Sequence, residues 1–339
     1  MPVLTLIESP NHVCYRYRIE AFAPALAERG IALAAEPLRR GTFIRWRQFL
    51  SLRQTDAVIL QRKVMSPSHV WMLRKCAKRL VFDFDDAVFQ RDSFSRRPAK
   101  SVKRMMGFRS AVEASDIVIA GNGYLADRAS AYGDPSKVHV IPTCVDPGRY
   151  KLARHVRRGE SVQMAWIGSS STLQGLRQAE TWMEAVGRRT PGIKLRLICD
   201  STLEIPGVRV ELRPWSSSTE CDELAAADVG ISWLPDDSFT RGKCGLKILQ
   251  YMAAGLPVVT NPVGVHPEMV IPGETGFLLS TPEEWAEAIA QLASDPALRQ
   301  RMGQAGRRRV EQLYSVQRWS LPFADIVSGL LSTRSRKAA

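Results

Sequence analysis

The chain lacks any long apolar run: no stretch of its 339 residues approaches the roughly 20 apolar residues that span a bilayer. Its first eleven residues lack both the basic and the apolar segment of a secretion signal. The six cysteines are far apart, with no C-x-x-C pair and no spacing to histidine that suggests zinc. We therefore expect reduced thiols and a cytoplasmic protein that holds no metal.

Low-complexity tracts are also absent, which argues against extended disorder. Hydrophobic residues make up 45% of the chain and charged residues 24%, as in globular proteins. Because 339 residues exceed what one hydrophobic core usually supports, two domains are expected.

Positive charge is abundant but uneven. Residues 1–158 carry 28 basic and 14 acidic side chains, a net charge of +14, whereas residues 159–339 carry 19 and 20, a net charge of −1. A basic surface on the first domain favours a negatively charged partner such as an anionic membrane, a phosphorylated lipid or nucleic acid, although a solvated face is an alternative.

Short apolar runs bounded by turn residues alternate with amphipathic stretches, as in β-α-β units with parallel sheets. The predicted strands of the first half are 3–8, 31–38, 56–61, 79–85, 116–122 and 137–143. Those of the second half are 162–168, 194–200, 208–214, 228–234, 256–262 and 275–280. Two doubly wound α/β domains follow, with ligands expected at the carboxyl ends of the strands and in a cleft between the domains.

A polar segment, residues 147–161, separates the two series and is the predicted linker. We expect a first domain over 1–150 and a second over 151–315. A helix over 316–331 is expected to pack back on the first domain, ahead of a basic tail over 332–339.

Residues 228–280 resemble the donor-binding region of GT-B glycosyltransferases, specifically of the retaining family 4. The positions on the family pattern are Gly245, Leu246, Leu249, Met252, Ala253, Gly255, Pro257, Val258, Val259, Gly264, Glu268, Gly273, Thr275 and Gly276. Residues 115–129, 137–150 and 164–172 are also similar to family segments. The resemblance implies the GT-B fold of two tandem Rossmann-like domains, the first for the acceptor and the second for a nucleotide-sugar.

The chain departs from the family at functional positions. The family's two glutamates map to Gly242 and Gln250, and its phosphate-binding Arg and Lys are replaced around Ser169 to Gln174. The backbone N–H groups of the helix after Gly245 still suit a diphosphate. We expect Lys243, Lys247 and Gln250, spaced i, i+4 and i+7, to share one helix face.

In this interpretation Lys243 or Lys247, helped by Arg241, neutralises the phosphates, and Gln250 bonds the ribose. A solvated helix face is the alternative for the lysines. Ser169 is a further candidate for the donor site. Glu268 either caps the next short helix or contacts the donor.

The first domain offers candidates for the acceptor side. The segment after the first strand, residues 9–18, is where the family has a mobile loop, and its His12, Arg16 and Arg18 suit a phosphate or carboxylate. At the end of the fourth strand, Asp85 and Asp86 take the positions of the family's His-Asp pair, so we expect catalytic roles there. Capping and pairing with nearby Arg91 or Arg97 is the alternative.

Two short motifs suggest other chemistry. Asp83-Phe84-Asp85 spells the D-x-D metal motif of GT-A enzymes, but three residues are a weak signal and GT-A has no second strand–helix series. Residues 121–126 mimic the G-x-G-x-x-A of dinucleotide sites, yet follow the fifth strand rather than the first; a tight strand-to-helix turn explains them better.

Together these patterns predict a glycosyltransferase that moves a sugar from a nucleotide-sugar to a glycan or lipid-linked acceptor in bacterial-type polysaccharide or glycolipid synthesis. The resemblance implies retention of configuration, with neither metal nor cofactor. A GT-B epimerase or phosphorylase, or a non-catalytic nucleotide-sugar binder, remains open. Nucleic acid is a less favoured partner.

Residues 42–53, rich in aromatic residues and arginine, suggest a peripheral helix on the inner face of the membrane, or a core-facing helix with a basic outer side.

Overall fold

The computed structural model describes residues 1–155 and 161–332, which form two compact units. Unit 1 comprises residues 1–144, 237–244 and the C-terminal helix that starts at Val316. Unit 2 comprises residues 145–236 and 245–315. Residues 156–160 of the predicted linker and residues 333–339 of the predicted tail lie outside the described residues.

Unit 1 contains six strands and the helices that connect them. The strands are β1 (Pro2–Ile7), β2 (Ala32–Pro37), β3 (Ala57–Gln61), β4 (Leu80–Phe84), β5 (Ile117–Ala120) and β6 (Val138–Val140). The helices are α1 (Val13–Arg18), α2 (Ala23–Glu28), α3 (Thr42–Ser51), α4 (Pro67–Cys76), α5 (Val102–Ala114) and α6 (Gly123–Ser130), together with α14 (Val316–Ser332) from the end of the chain.

The sheet of unit 1 is parallel, in the order β2-β1-β3-β4-β5-β6. Its central strands are buried and read as continuous apolar runs, as expected where helices cover both faces. On one face Phe49 of α3, Leu73 of α4 and Phe108 of α5 join the core. On the other face Phe22 stacks on Phe323 of α14 at 4.6 Å. Helix α14 thereby completes the second face of this sheet.

Unit 2 repeats the arrangement. Its strands are β7 (Gln163–Ile167), β8 (Lys194–Cys199), β9 (Arg209–Pro214), β10 (Val229–Ser232), β11 (Val258–Thr260) and β12 (Gly276–Leu278). Its helices are α7 (Ser170–Gln178), α8 (Glu180–Arg189), α9 (Glu220–Ala225), α10 (Leu246–Ala253), α11 (His266–Met269), α12 (Pro282–Ser294) and α13 (Pro296–Leu313). The parallel sheet has the order β12-β11-β10-β7-β8-β9.

The predicted fold class is confirmed: each predicted strand corresponds to a strand of one of two parallel sheets. Two local expectations are wrong. Residues 13–18, expected as part of a loop, form helix α1. Residues 237–244, expected in the second domain, belong to unit 1. Within the described residues, no helix combines the length and the apolar character needed to cross a bilayer.

A glycine of α13 packs directly against the backbone that follows α10. A Cβ at Gly303 would lie 1.9 Å from the carbonyl oxygen of Gly255, whereas a Cβ at Gly329 of α14 would meet no atom within 4 Å. Alanine exceeds glycine in helix propensity by about 1 kcal/mol. We therefore predict that Gly329→Ala raises the midpoint of thermal unfolding, while Gly303→Ala lowers it. Similar shifts in both variants would contradict the packing of α13.

Candidate active site

A lysine lies over a buried tryptophan at the carboxyl edge of the unit 2 sheet. The Nζ of Lys247, the second residue of α10, is 3.9 Å from the ring centroid of Trp166, which is the penultimate residue of β7. Gly168 follows that strand, and a Cβ there would lie 2.6 Å from the Trp166 ring and 3.0 Å from the Lys247 Nζ. Only glycine fits beside this cation.

Helix α10 begins at a residue with left-handed backbone. Gly245 has a φ of 65°, and a Cβ there would lie 2.4 Å from the Sδ of Met269. Lys247 and Gln250 belong to this helix, but Lys243 precedes it and belongs to unit 1. The expected polar face of Lys243, Lys247 and Gln250 is therefore wrong, and Gln250 is buried.

The neighbouring helix α7 has an acidic group at its N-terminus. Asp200, directly after β8, accepts hydrogen bonds from the backbone N–H of Ser170 at 2.6 Å and from its hydroxyl at 3.1 Å. A hydrogen bond from the thiol of Cys199 and one from Ser170 lower the pKa of Asp200. Ser169 is exposed and caps this helix, exchanging hydrogen bonds with Thr172. The helix dipole favours a negative charge at this end.

A buried histidine lies behind this edge. The Nδ1 of His266 is 2.9 Å from the carbonyl oxygen of Asn261 and 2.8 Å from the Oγ1 of Thr260, which itself donates to Ser232. Burial lowers the pKa of His266 to about 4, with a further contribution from the charge of Lys247. The ring is neutral at pH 7, with its Nδ1–H donating to Asn261.

Glu268 is an exposed residue of the four-residue helix α11, so it lies inside a short helix rather than ahead of the next one. Its carbonyl oxygen accepts from Arg309 at 2.6 Å, and Arg309 also donates to the carbonyl of Met269 at 2.9 Å. These bonds fix the turn after β11 to α13 and leave the Glu268 carboxylate at the surface.

In unit 1, the carboxyl end of β4 is held by a buried ion pair. Arg18 donates to Asp83 from Nε at 3.1 Å and from Nη2 at 2.6 Å, and its Nη1 donates to the carbonyl of Ile141 at 2.9 Å. Burial alone would lower the pKa of Arg18, but Asp83 raises it above its ordinary value. Arg18 is thus a structural residue, which corrects its expected place on an acceptor loop.

The two predicted catalytic aspartates share one arginine. Arg62 donates to Asp86 Oδ2 at 2.6 Å and lies 3.7 Å from Asp85 Oδ1. Burial opposes ionisation of Asp85, but Arg62 and then Arg18 outweigh it and lower the pKa of that carboxyl. Arg62 has a φ of 58°, a strained conformation for a residue with a side chain. The aspartates do pair with an arginine, but the expected partners were wrong: the partner is Arg62, whereas Arg91 donates to the backbone carbonyls of Pro98 and Lys100.

Residues 237–244 bring a second cation to these aspartates. The Nζ of Lys243 is 3.8 Å from Asp86 Oδ2 and 4.8 Å from the ring centroid of Phe239. The side-chain amide of Asn122 donates to the carbonyl oxygens of Gly242 and Lys243 at 3.3 and 3.2 Å. Arg241 of the same segment is exposed. Lys243 therefore faces a carboxylate within unit 1.

The remaining acceptor-side candidates lie around helix α1. His12 caps it by accepting from the backbone N–H of Cys14 at 3.2 Å, and its Nε2 is 3.8 Å from a carboxylate oxygen of Glu8. Burial and then the charge of Arg62 lower the pKa of His12. The guanidinium of Arg16 lies 4.9 Å from the ring centroid of Tyr17. His12 is thus close to the Arg62 group, whereas Arg18 is buried with Asp83.

Sequence reasoning missed Arg62, Trp166 and Asp200. Each lies within or directly after a strand that was predicted correctly. Because ligand-binding residues of parallel sheets follow the carboxyl ends of the strands, that rule was enough to find Arg62 and Asp200. Residues 121–126 are the expected tight turn: Asn122 caps α6, and a Cβ on Gly121 would lie 2.4 Å from the Sγ of Cys244.

Comparison with known proteins agrees with this architecture. Residues 223–309 match the family model described as glycosyl transferases group 1. D-inositol 3-phosphate glycosyltransferase of Segniliparus rotundus is 29% identical over 60% of this chain and 50% of its own length. The chain spans about half the length of the first curated relatives it matches.

Solved structures are similar over almost the whole chain. Sucrose-phosphate synthase from Thermosynechococcus elongatus aligns with a TM-score of 0.76 and 16% identity, covering 97% of this chain and 99% of that one. HepE of Anabaena, solved in complex with UDP and glucose, aligns with a TM-score of 0.73 and 16% identity over 97% and 100%. The protein therefore has the GT-B fold. The predicted resemblance to GT-B glycosyltransferases is confirmed, with the group 1 region lying at residues 223–309.

The buried His266 predicts a pH dependence of stability. Its pKa is about 4 in the folded chain against 6.5 for an unperturbed histidine, so the unfolded state binds more protons between these values. Stability therefore falls as the pH drops from 6.5 to 4, by about 3 kcal/mol at most. His266→Asn keeps a donor near the Nδ1 position and should lose this part of the acid sensitivity.

Denaturant unfolding at pH 7 and pH 4.5 measures the effect. The other four histidines are common to both proteins, so the difference between the two pH dependences isolates His266. Equal loss of stability in both proteins would show that His266 is not the neutral, buried group described.

Proposed function

We propose that the chain is a glycosyltransferase that moves a sugar from a nucleotide-sugar donor to a glycan or lipid-linked acceptor. The observation that carries this is the group 1 match over residues 223–309, which spans β10, α10, β11 and α11 and so includes Lys247. Relatives named as glycosyltransferases and the UDP and glucose complex of HepE support it.

The donor diphosphate is assigned to the carboxyl edge of the unit 2 sheet. The cation of Lys247 lies beside Gly168, and α10, whose first turn has backbone N–H groups without partners inside the helix, starts at the same edge. Fixed positive charge at this place stabilises the departing diphosphate as negative charge develops on it. Lys247 takes the role of the family's missing Arg and Lys pair.

Other donor contacts follow from the same edge. Gly245 and exposed Ser169 lie at the starts of α10 and α7, and the exposed carboxylate of Glu268 lies on α11. Gln250 is buried in α10, where its amide is proposed to meet the ribose. Arg241, Gly242 and Lys243 belong to unit 1, so we assign Lys243 to the aspartate group instead.

The acceptor is assigned to the carboxyl edge of the unit 1 sheet. Asp85 has a lowered pKa and is an ionised carboxylate at neutral pH, able to accept a hydrogen bond from an acceptor hydroxyl. Arg62 and Lys243 fix Asp86 beside it. His12, which caps α1, and Arg16, in its last turn, are the proposed contacts for a phosphate or carboxylate of the acceptor.

The finer features come from the family 4 resemblance. We propose retention of configuration, independence from metals and cofactors, a cytoplasmic location, and a role in bacterial-type polysaccharide or glycolipid synthesis. The pairing of Asp83 with Arg18 and of Asp85 with Arg62 supports metal independence, because these carboxylates already neutralise arginines. The anomeric configuration of the purified product tests retention.

Lys247→Ala is predicted to weaken nucleotide binding by about tenfold or more, because a charge-assisted hydrogen bond to phosphate is lost. A thermal-shift screen with UDP, GDP, ADP, dTDP and CMP selects the nucleotide, since a bound ligand stabilises the fold. Titration calorimetry then compares wild type with the variant.

Lys151→Ala is the matched control, because Lys151 is an exposed lysine of unit 2 that pairs with Asp222. Gln250→Leu removes the amide while keeping a buried side chain of similar size, which separates ribose binding from packing. Unchanged affinity in the Lys247 variant would remove α10 from the donor site. Binding without transfer or hydrolysis would leave a nucleotide-sugar binder.

Sugar transfer is predicted to continue in the presence of excess chelator, because the donor diphosphate is assigned to Lys247 and helix N-termini rather than to Asp83 and Asp85. The measurement is the initial rate of transfer with and without EDTA. Complete loss of activity that manganese restores would favour the D-x-D interpretation.

A further inference from the structure

Three helices lie side by side on one face of the unit 1 sheet. Helix α3 packs against α4, and α4 packs against α5. Their inner sides join the core through Phe49, Leu73 and Phe108. The sheet and the core contact only the inner sides of these helices. The outer sides are therefore accessible to another partner.

Large apolar side chains are exposed on these outer sides. They are Phe43 (69% exposed), Ile44 (52%) and Trp46 (43%) of α3, Trp71 (63%) of α4, and Val102 (77%) and Met106 (52%) of α5. The rings of Phe43 and Trp46 are 6.2 Å apart. Single exposed apolar residues are ordinary, but several on adjacent helices indicate an interaction surface. We call these helices' outer sides the α3–α5 face.

Positive charge accompanies the apolar groups. The three helices contain seven basic residues, two in α3, two in α4 and three in α5, against one acidic residue, Glu113. Glu113 is already paired with Arg109 at 2.7 Å. Burial and then the charge of Arg45 lower the pKa of His69, which places cationic α3 beside α4. The ammonium of Lys75 lies 5.7 Å from the ring centroid of exposed Trp71.

The six exposed residues share a position along their helices. Each lies within the first five residues of α3, α4 or α5. In a β-α-β unit the helix starts where the preceding strand ends, so the first turns lie at the carboxyl edge of the sheet. The apolar groups therefore border the edge that carries Asp85 and Asp86.

We propose that the α3–α5 face docks on an anionic phospholipid bilayer. Aromatic rings and lysine or arginine side chains together are the groups that settle at the membrane–water interface. Cations add attraction to anionic lipid, and no acidic side chain besides the paired Glu113 occurs in the three helices to oppose it. The bilayer would then lie beside the acceptor edge of unit 1, where a lipid-borne acceptor enters.

The test is co-sedimentation with vesicles of phosphatidylcholine, with and without phosphatidylglycerol, across a salt series. Wild type should bind only the anionic vesicles and be released as salt screens the charges. Arg47→Gln, Lys75→Gln and Lys103→Gln combined remove one exposed cation from each helix. Each removed charge weakens binding by about fivefold at most, so the triple variant should bind more weakly than wild type, by about a hundredfold at most.

Phe43→Ser with Trp46→Ser removes two of the six exposed apolar side chains and should weaken binding at every salt concentration. Two variants are matched controls and should bind as wild type does: Arg188→Gln, Arg189→Gln and Arg209→Gln combined, on the surface of unit 2, and Leu313→Ser with Leu321→Ser, two exposed leucines elsewhere. Because all the substituted residues are exposed, circular dichroism and thermal unfolding should show folded protein in each case.

The proposal would be overturned if wild type did not bind anionic vesicles at low salt. Equal binding by the α3–α5 variants and their controls would also overturn it. So would a wild-type dimer in solution that Phe43→Ser with Trp46→Ser dissociates. This last result would identify a second copy of the chain as the occupant. Nucleotide binding, measured on the same variants, should be unchanged, so failure here is distinguishable from failure of the proposed transfer activity.

Discussion

The buried pair of Arg18 and Asp83 is the interaction on which the first unit's site depends. Arg18 links helix α1 to the end of β4 and to the carbonyl of Ile141 after β6. Removing one partner of such a pair costs about 3–5 kcal/mol, because an uncompensated charge stays buried. The carbonyl of Asp83 also accepts from the backbone N–H of Arg62 at 2.6 Å. The strained Arg62, and through it Asp85 and Asp86, is thus positioned by this pair.

In unit 2, hydrogen bonds between uncharged groups hold the strand ends and helix α10 together. The hydroxyl of Tyr251 donates to the carbonyl of Ile231 and accepts from the N–H of Ile167, joining α10 to two strands. Asn261 exchanges hydrogen bonds with both backbone groups of Leu234. The ammonium of Lys247 lies at the same edge, 3.9 Å from the ring centroid of Trp166. The two units thus hold their strand ends with different groups, a buried ion pair in unit 1 and neutral hydrogen bonds of Tyr251 and Asn261 in unit 2.

The sequence predicted the strands well and the side-chain environments poorly. Strands covered on both faces are short apolar runs between turn residues, so their limits are visible without tertiary information. The helical spacing of Lys243, Lys247 and Gln250 failed because Gly245, with positive φ, starts the helix after Lys243. The burial of Arg18 was hidden because its partner Asp83 lies 65 positions away. Such pairings depend on tertiary contacts that spacing does not encode.

The two departures from the family pattern now have physical reasons. Gly242 stands in place of the first glutamate, and a Cβ there would lie 2.9 Å from the backbone N and the Cβ of Ala87, so a longer side chain does not fit. Gln250 stands in place of the second glutamate, and its side chain is buried. Burying a neutral amide costs less free energy than burying a charged carboxylate. With both glutamates gone, the carboxylates proposed for the acceptor side are Asp85 and Asp86, which Arg62 and Lys243 hold in unit 1. The loss of the two glutamates therefore leaves in place the Asp85 and Asp86 carboxylates proposed for the acceptor side.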